Sequence, residues 1–402
     1  MTEQLILELG VVIVASAALA IAAHFLRQPL IVAYIAAGIL FGPHSPVPAL
    51  RLVTQSEFIR GTGELGLVLL LFLLGIVLHP GRLLQIFRQA SFVTLGTSLA
   101  FFLVGFGVTG GVVHIASGVY SLTWLEKAFI GCATAFSSTL LVVKLLPTRR
   151  LHESEVGTLA IGILIIQDLI AIIVLLVMGA AGAIGAGEVG AHWRLPIGVV
   201  MLVASFFVEQ HGLRRLMRHA QGYPELLFVI SLGWCLLLAE GAEHLGFSRE
   251  VGAFVAGLAL ARSPLSLYIW EKVSPLRDFF IVLLFFSLGA LVNLESRHLA
   301  SVVLLAALLA LVLALAKPYL FRLALRISGA RPALASEAGW RLGQMSEFGL
   351  VIAFLALDQG LIGRMAFELI LIAMLLSFLV STYVVVLKYP SPLGVTEAMH
   401  QA

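Results

Sequence analysis

The sequence predicts an all-α polytopic membrane protein of about thirteen transmembrane helices, arranged as two inverted six-helix repeats with broken helices that cross at mid-bilayer. Three observations carry this. Hydrophobic residues make up 60% of the 402-residue chain and charged residues 12%, with a mean hydropathy of +1.06. A water-soluble domain carries about twice that share of charge, so a soluble enzyme, a nucleic-acid binder and a disordered tail are excluded. The apolar runs are long enough to cross the hydrocarbon core, where a run of that length satisfies its backbone only as a helix. Finally, two runs seven positions apart carry matching polar interruptions.

Taken in order, the first run, residues 5–26, follows Met1-Thr2-Glu3-Gln4, which lacks the basic start and small-residue cleavage site of a signal peptide, so it is a retained span. The second, 29–42, is short and bears Gly38 and Gly42, and the third, 60–78, holds Glu64 near its start. The fourth, 92–117, contains Gly105-Phe106-Gly107-Val108-Thr109-Gly110, which matches a dinucleotide fingerprint in letters only; with no strand before it, it is a helix-packing pattern. The fifth, 124–146, is interrupted by Thr134-Ala135-Phe136-Ser137-Ser138-Thr139, and the sixth, 156–184, has Asp168 at its centre. The seventh, 195–213, links two groups of six. The eighth is 224–245, the ninth 249–262 with Gly252 and Gly257, and the tenth 277–293. The eleventh, 298–321, carries Lys317-Pro318 near its inner end; the twelfth, 333–357, is interrupted by Gly343-Gln344-Met345-Ser346-Glu347-Phe348; the thirteenth is 364–387.

An offset of seven spans is odd, so the fifth runs opposite to the twelfth and the sixth opposite to the thirteenth, which is the arithmetic of an inverted repeat. Of the 25 Lys and Arg, sixteen between Arg27 and Lys388 fall in segments on one side and seven between Arg51 and Arg364 on the other, with Lys317 and Arg341 inside spans. The richer side is cytoplasmic by the positive-inside rule, which puts the N-terminus out and the C-terminus in. The membrane is expected to be the cell inner membrane.

Charge within the spans points to function, because a charge at the bilayer centre costs at least about 2.5–3.5 kcal/mol. Asp168 is the most deeply placed acid, and intramembrane carboxylates mark ion or proton paths; the bland alternative is a structural Asp paired with a hydroxyl or with Lys317. Lys317 itself either snorkels to the interface or acts inside the membrane. Glu347 and Arg341 either pair with one another or compensate an open half-helix end, and Glu337 and Arg341 stand at i, i+4 spacing. Glu64 is interfacial or lies on a pathway. The hydroxyls of Ser137, Ser138 and Thr139 and the carbonyls of a broken helix suit a hard alkali cation, although such hydroxyls also tie helices together. Cys132 and Cys235 lie in apolar runs and support neither a disulfide framework nor a metal site. An intramembrane hydrolase is disfavoured, since no nucleophile and base stand together within the spans.

Nearly the whole chain resembles the second monovalent cation:proton antiporter family, in its Kef-type potassium/proton branch. The matching stretches are Tyr34 to Gly38 with Gly42-Pro43, Glu64-Leu65-Gly66 with Leu71 to Gly75, Ser137-Ser138-Thr139, Gln167-Asp168, Gly252 to Gly257, Phe285 to Gly289, Lys317, and Gly343 to Phe348. The chain departs from the pattern at Ile76-Val77-Leu78-His79, where such proteins carry an acid. The resemblance implies a sodium/proton-antiporter-like fold in a single transporter domain over 1–402. Scaffold and dimerisation spans would lie within 1–78 and 224–293, a linker at 195–213, and core ion-binding spans within 92–184 and 298–387. It implies a homodimer, no enzyme activity, no cofactor and no nucleic-acid partner. No C-terminal nucleotide-binding domain is expected within these residues, and a cytosolic regulator would be a separate domain or subunit.

The function so implied is exchange of potassium, or alternatively sodium, for a proton at Asp168, with Gln167, Ser137, Ser138 and Thr139 as further cation contacts. Lys317, Glu347, Gln344, Ser346 and Arg341 would set the field at the helix breaks. The exchange requires a carboxyl that holds its proton near neutral pH and yields it to the cation. Gln167 donates and accepts hydrogen bonds but does not ionise, so electroneutral exchange is expected. A cation channel, or a transport-inactive sensor with the same fold, are the competing readings.

Overall fold

In the computed structural model of the protein, residues 2–53, 56–77, 80–116, 119–139, 141–142, 155–185, 194–220, 222–293 and 298–389 are described. Leu78 and His79, the basic residues Lys144, Arg149 and Arg150, and the segment after 389 lie outside the described residues. The described chain is helical, with short turns between helices. In order the helices are α1 (Thr2–Phe25), α2 (Leu30–Phe41), α3 (Ser56–Val77), α4 (Pro80–Ile115), α5 (Trp124–Ala135), α6 (Glu155–Gly185) and α7 (Arg194–Val208). A π-helical turn over Glu209–Leu213 carries α7 into α8 (Arg214–His219). There follow α9 (Pro224–His244), α10 (Arg249–Leu260), α11 (Ser266–Ala290), α12 (Leu299–Ile327), α13 (Pro332–Arg341), α14 (Glu347–Asp358) and α15 (Arg364–Lys388). Among the described residues, eight stretches, within α1, α4, α6, the α7–α8 pair, α9, α11, α12 and α15, are long and apolar enough to cross a bilayer. The protein is an integral membrane protein.

The expected interruptions are helix breaks: α5 stops at Ala135, and α13 and α14 are separated at Leu342–Ser346. Other boundaries move. The tenth span starts at Ser266 and not at 277, because a charged stretch with Glu271, Lys272, Arg277 and Asp278 continues the helix through Pro275. Lys272 and Arg277, two of the sixteen cations assigned to the cytoplasmic side, are therefore helical. The eleventh span runs on to Ile327, which puts Lys317 well inside α12 and not at its end. Hydropathy ends where apolarity ends, whereas a helix continues until its hydrogen bonds do.

Contacts divide the chain into two compact units. One comprises Met1–Val14, Leu52–Gln85 and Ile172–Gly289. In it α10 lies against α3 and α9, around a core containing Phe72, Trp234, Ala253 and Leu260. The approach is close enough that a Cβ on Gly257 would sit 1.9 Å from the Phe72 carbonyl oxygen, so only glycine fits there. Trp234 Nε1 donates to the Ala256 carbonyl at 3.1 Å, satisfying the indole inside this apolar packing.

The other unit comprises Ala15–Arg51, Ile86–Ala171 and Ala290–Ala402. Its core joins α4, α6, α12 and α13 through Phe101, Ile163, Leu164, Phe321, Ala338 and Leu342. Phe101 and Phe321 meet edge to face with centroids 5.0 Å apart. α15 lies against α5, α12, α13 and α14. Glu126 ties two helix starts together: one carboxylate oxygen accepts from Thr123 N–H at 2.8 Å in the capping box of α5, and the other from Gly363 N–H at 2.9 Å at the head of α15.

Candidate functional site

The site lies in the second unit, where two helices stop short. Phe136 leaves α5 with extended backbone (φ −102°, ψ 154°). Helical bonding resumes when Leu141 N–H donates to the Ser138 hydroxyl at 3.0 Å and Val142 N–H to the Ser138 carbonyl at 3.3 Å. At the second break Ser346 is extended, and its hydroxyl accepts from Phe348 N–H at 3.1 Å to cap α14. Each open backbone group in a membrane interior costs several kcal/mol. What satisfies residues 135–138 and 342–346 therefore decides whether the breaks persist.

Side chains from both halves of the unit do so. Lys317, fully buried, donates to the Phe136 carbonyl at 2.6 Å, to the Gln344 carbonyl at 2.9 Å and to the Ser137 hydroxyl at 3.5 Å, and lies over the Phe101 ring at 4.9 Å. Its charge thus rests where two half-helices end and carbonyl dipoles converge. The snorkelling alternative is excluded by this burial. Ser137 Oγ donates to the Leu342 carbonyl at 2.7 Å, joining one break to the other.

Gln167 behaves as a backbone surrogate. Its Oε1 accepts from Ser137 N–H at 3.0 Å, while Nε2 donates to the Ala135 carbonyl at 3.3 Å and to the Ser98 hydroxyl at 3.5 Å. Gln344 bridges the breaks from the other side, with Nε2 donating to the Ser138 carbonyl at 3.4 Å and Oε1 accepting from Ser381 Oγ at 3.1 Å. Ser377, one turn before Ser381 on α15, accepts from Met345 N–H at 2.9 Å.

Asp168 follows Gln167 on α6 and is 3% exposed. Thr139 Oγ1 donates to its carboxylate at 3.1 Å to one oxygen and 3.4 Å to the other. Glu347, 2% exposed, stands at the start of α14, directly after the second break. Arg341 ion-pairs with Glu337 at 2.8 Å and lies 5.7 Å from the Tyr389 ring centre. Lys388 lies 3.9 Å from the ring centre of Trp340, so α13 and the end of α15 are joined by two cation–π contacts. Glu64, half-buried on α3, belongs to the other unit.

The structure therefore brings together Asp168, Thr139, Ser137, Ser138, Gln167, Lys317, Gln344, Ser346 and Glu347. Within this set, Ser137 and Gln167 are committed to the breaks, while Thr139 faces the carboxylate. Sequence reading missed Ser98, Ser377 and Ser381. The i, i+4 spacing of the last two on one face of the thirteenth span was the available signal.

A family model described as sodium/hydrogen exchanger, transmembrane, matches residues 11–387. K(+) efflux antiporter 4 of Arabidopsis thaliana is 28% identical over 375 residues, covering 92% of this chain and 61% of that protein. The glutathione-regulated potassium-efflux system protein KefC of Salmonella typhimurium is 30% identical over 338 residues, covering 80% and 50%. This chain thus spans 61% or less of the length of these two relatives. Among solved structures, the sodium proton antiporter MjNhaP1 from Methanocaldococcus jannaschii shares the fold, with a TM-score of 0.63 at 16% identity over 94% of this chain and 96% of that one.

Proposed function

Because the chain belongs to the sodium/hydrogen exchanger transmembrane family, in its Kef-type monovalent cation:proton antiporter branch, we propose that it is a secondary antiporter in which an alkali cation and a proton compete for Asp168. The observation that carries this is a buried carboxylate beside a helix break, with the Thr139 hydroxyl 3.1 Å away. A protonated carboxyl is neutral and tolerates burial; an ionised one needs a compensating cation. Thr139 adds a hydroxyl oxygen and the break adds carbonyls, the ligands a partly dehydrated alkali ion takes up. Gln167, Ser137 and Ser138 hold these oxygens in place, while Lys317 neutralises the half-helix ends. Core spans within 92–184 and 298–387, moving against scaffold spans, would then expose Asp168 alternately to either side.

Potassium is the favoured cation on the names of the relatives, and sodium is the runner-up. A single exchanging carboxyl with a neutral Gln167 beside it supports one-for-one, electroneutral exchange. The homodimer, the inner-membrane location, the external N-terminus and the cytoplasmic C-terminus belong to the same proposal, the orientation resting on the charge asymmetry. The test is reconstitution in liposomes carrying a pH dye, with potassium, sodium, lithium and rubidium added in turn. Potassium should release protons most strongly, and the gradient that nulls proton flux should stay put when the membrane potential is clamped. Cation currents that persist without proton movement would establish a channel instead. Silence with every cation would favour a transport-inactive sensor.

A further inference from the structure

The polar network around the breaks extends to Ser381 on α15, which reaches the first break through Gln344. Gln344 has a carboxamide whose two ends are chemically opposite, and its orientation decides what it does to the first break. With Nε2 towards the Ser138 carbonyl, at 3.4 Å, it donates a hydrogen bond; turned over, it would set two acceptors against each other. The Ser138 carbonyl, which only accepts, selects the first orientation, and Ser381, whose hydroxyl donates to Gln344 Oε1 at 3.1 Å, anchors the other end of the carboxamide. Ser381 is 9% exposed and Gln344 fully buried, so bulk water does not supply a substitute donor. Ser138 directly precedes Thr139, whose hydroxyl reaches Asp168. The chain of contact is then Ser381 to Gln344 to the Ser138 carbonyl, and through one peptide to Thr139. Ser377 steadies the same stretch by accepting from Met345 N–H at 2.9 Å.

We propose that Ser381 is a positioning residue of the cation site: it fixes the Gln344 carboxamide so that the Ser138–Thr139 segment stays beside Asp168 in the geometry that binds the cation. The inference rests on the antiport reading. Ser381 contributes no oxygen to the cation, so its loss weakens binding without removing the exchanging carboxyl.

The experiment compares wild type, Ser381→Ala, Ser381→Thr and Gln344→Ala in liposomes, measuring the cation dependence of proton flux and the melting temperature of each protein. Ser381→Ala should raise the KM for the cation about fivefold, the factor carried by one neutral hydrogen bond. Its maximal rate should stay within about twofold, its melting temperature should fall modestly because buried Gln344 Oε1 loses its donor, and Ser381→Thr, which keeps the hydroxyl, should restore both KM and melting temperature. In a Gln344→Ala background the further change Ser381→Ala should do nothing, since the group it anchors is gone. An unaltered KM in folded Ser381→Ala overturns the inference, as does an equal effect in both backgrounds. So does a loss of rate and melting temperature that Ser381→Thr does not reverse, which would make Ser381 a packing residue. Absence of exchange by wild type with all four alkali cations is a separate outcome and overturns the antiport reading on which the inference stands.

Discussion

Gln167→Glu isolates the part of the site that the sequence could not assign. Gln167 closes the first break with a donor and an acceptor at once, taking Ser137 N–H at 3.0 Å and giving to the Ala135 carbonyl at 3.3 Å. A protonated carboxyl can reproduce both bonds, whereas a carboxylate offers two acceptors and leaves the buried Ala135 carbonyl facing negative charge. Stranding one buried acceptor costs about 1–3 kcal/mol, and every 1.4 kcal/mol is about a factor of ten. The variant should therefore keep the wild-type cation KM at acid pH, where the introduced carboxyl is protonated, and lose about 5- to 150-fold in cation affinity as pH rises and it ionises. Gln167→Leu, which has neither donor nor acceptor, should be weak across the whole range with no such slope. The assay is the cation dependence of proton flux in liposomes buffered at a series of pH values, with wild type setting the baseline slope. If Gln167→Glu tracked wild type at alkaline pH, the carboxamide would not be holding the break. Parallel behaviour of the Leu and Glu variants would lead to the same conclusion.

Other expectations follow from the same geometry. Asp168→Asn should abolish exchange while melting no lower than wild type, since it keeps size and hydrogen bonding but deletes a buried charge; exchange at the wild-type rate would remove Asp168 as the shared site. Lys317→Met leaves the Phe136 and Gln344 carbonyls without their donor, a loss of about 1–3 kcal/mol for each buried acceptor, and should lower the melting temperature clearly, with Lys317→Arg recovering part of it. A melting temperature equal to wild type for Lys317→Met would mean that the lysine does not join the breaks. Gly349→Ala would put a Cβ 2.6 Å from the Ala133 carbonyl oxygen, so α14 and α5 must separate at a cost of about 1–3 kcal/mol, whereas Gly107→Ala meets nothing within 4 Å and should be neutral. Comparable melting curves for the two glycine variants would count against that packing.

Much of this arrangement was legible before any coordinates, and the reasons differ from residue to residue. Asp168 stood out because a lone carboxylate in an apolar run has few bland explanations. The two breaks were visible as hydroxyls and amides inside otherwise apolar segments. Lys317 was harder to place, because apolarity fades after residue 321 and made the lysine look terminal, although α12 continues to Ile327. The work of Gln167 was hidden for another reason. A glutamine next to an aspartate reads as a ligand pair in sequence, and only the backbone path shows that its oxygen is already taken by Ser137. Ser377 and Ser381 carried too weak a signal, since serines are common in membrane helices and only their partners on the second break distinguish them.

The joint between the two breaks also has a history during synthesis. Leaving the ribosome, the first break precedes its partners: Gln167 follows Ser137 by 30 residues, but Lys317 comes 181 residues after Phe136 and Leu342 205 residues after Ser137. At about 5–20 residues per second, the Phe136 carbonyl waits roughly 10–40 s for its lysine. Over that interval the segment lacks its final donors, and contact with the translocon or a membrane chaperone is expected to shield it. Ribosome-arrested chains ending before Lys317 should crosslink to that machinery through positions 136–138, and chains that extend past Gln344 should let go.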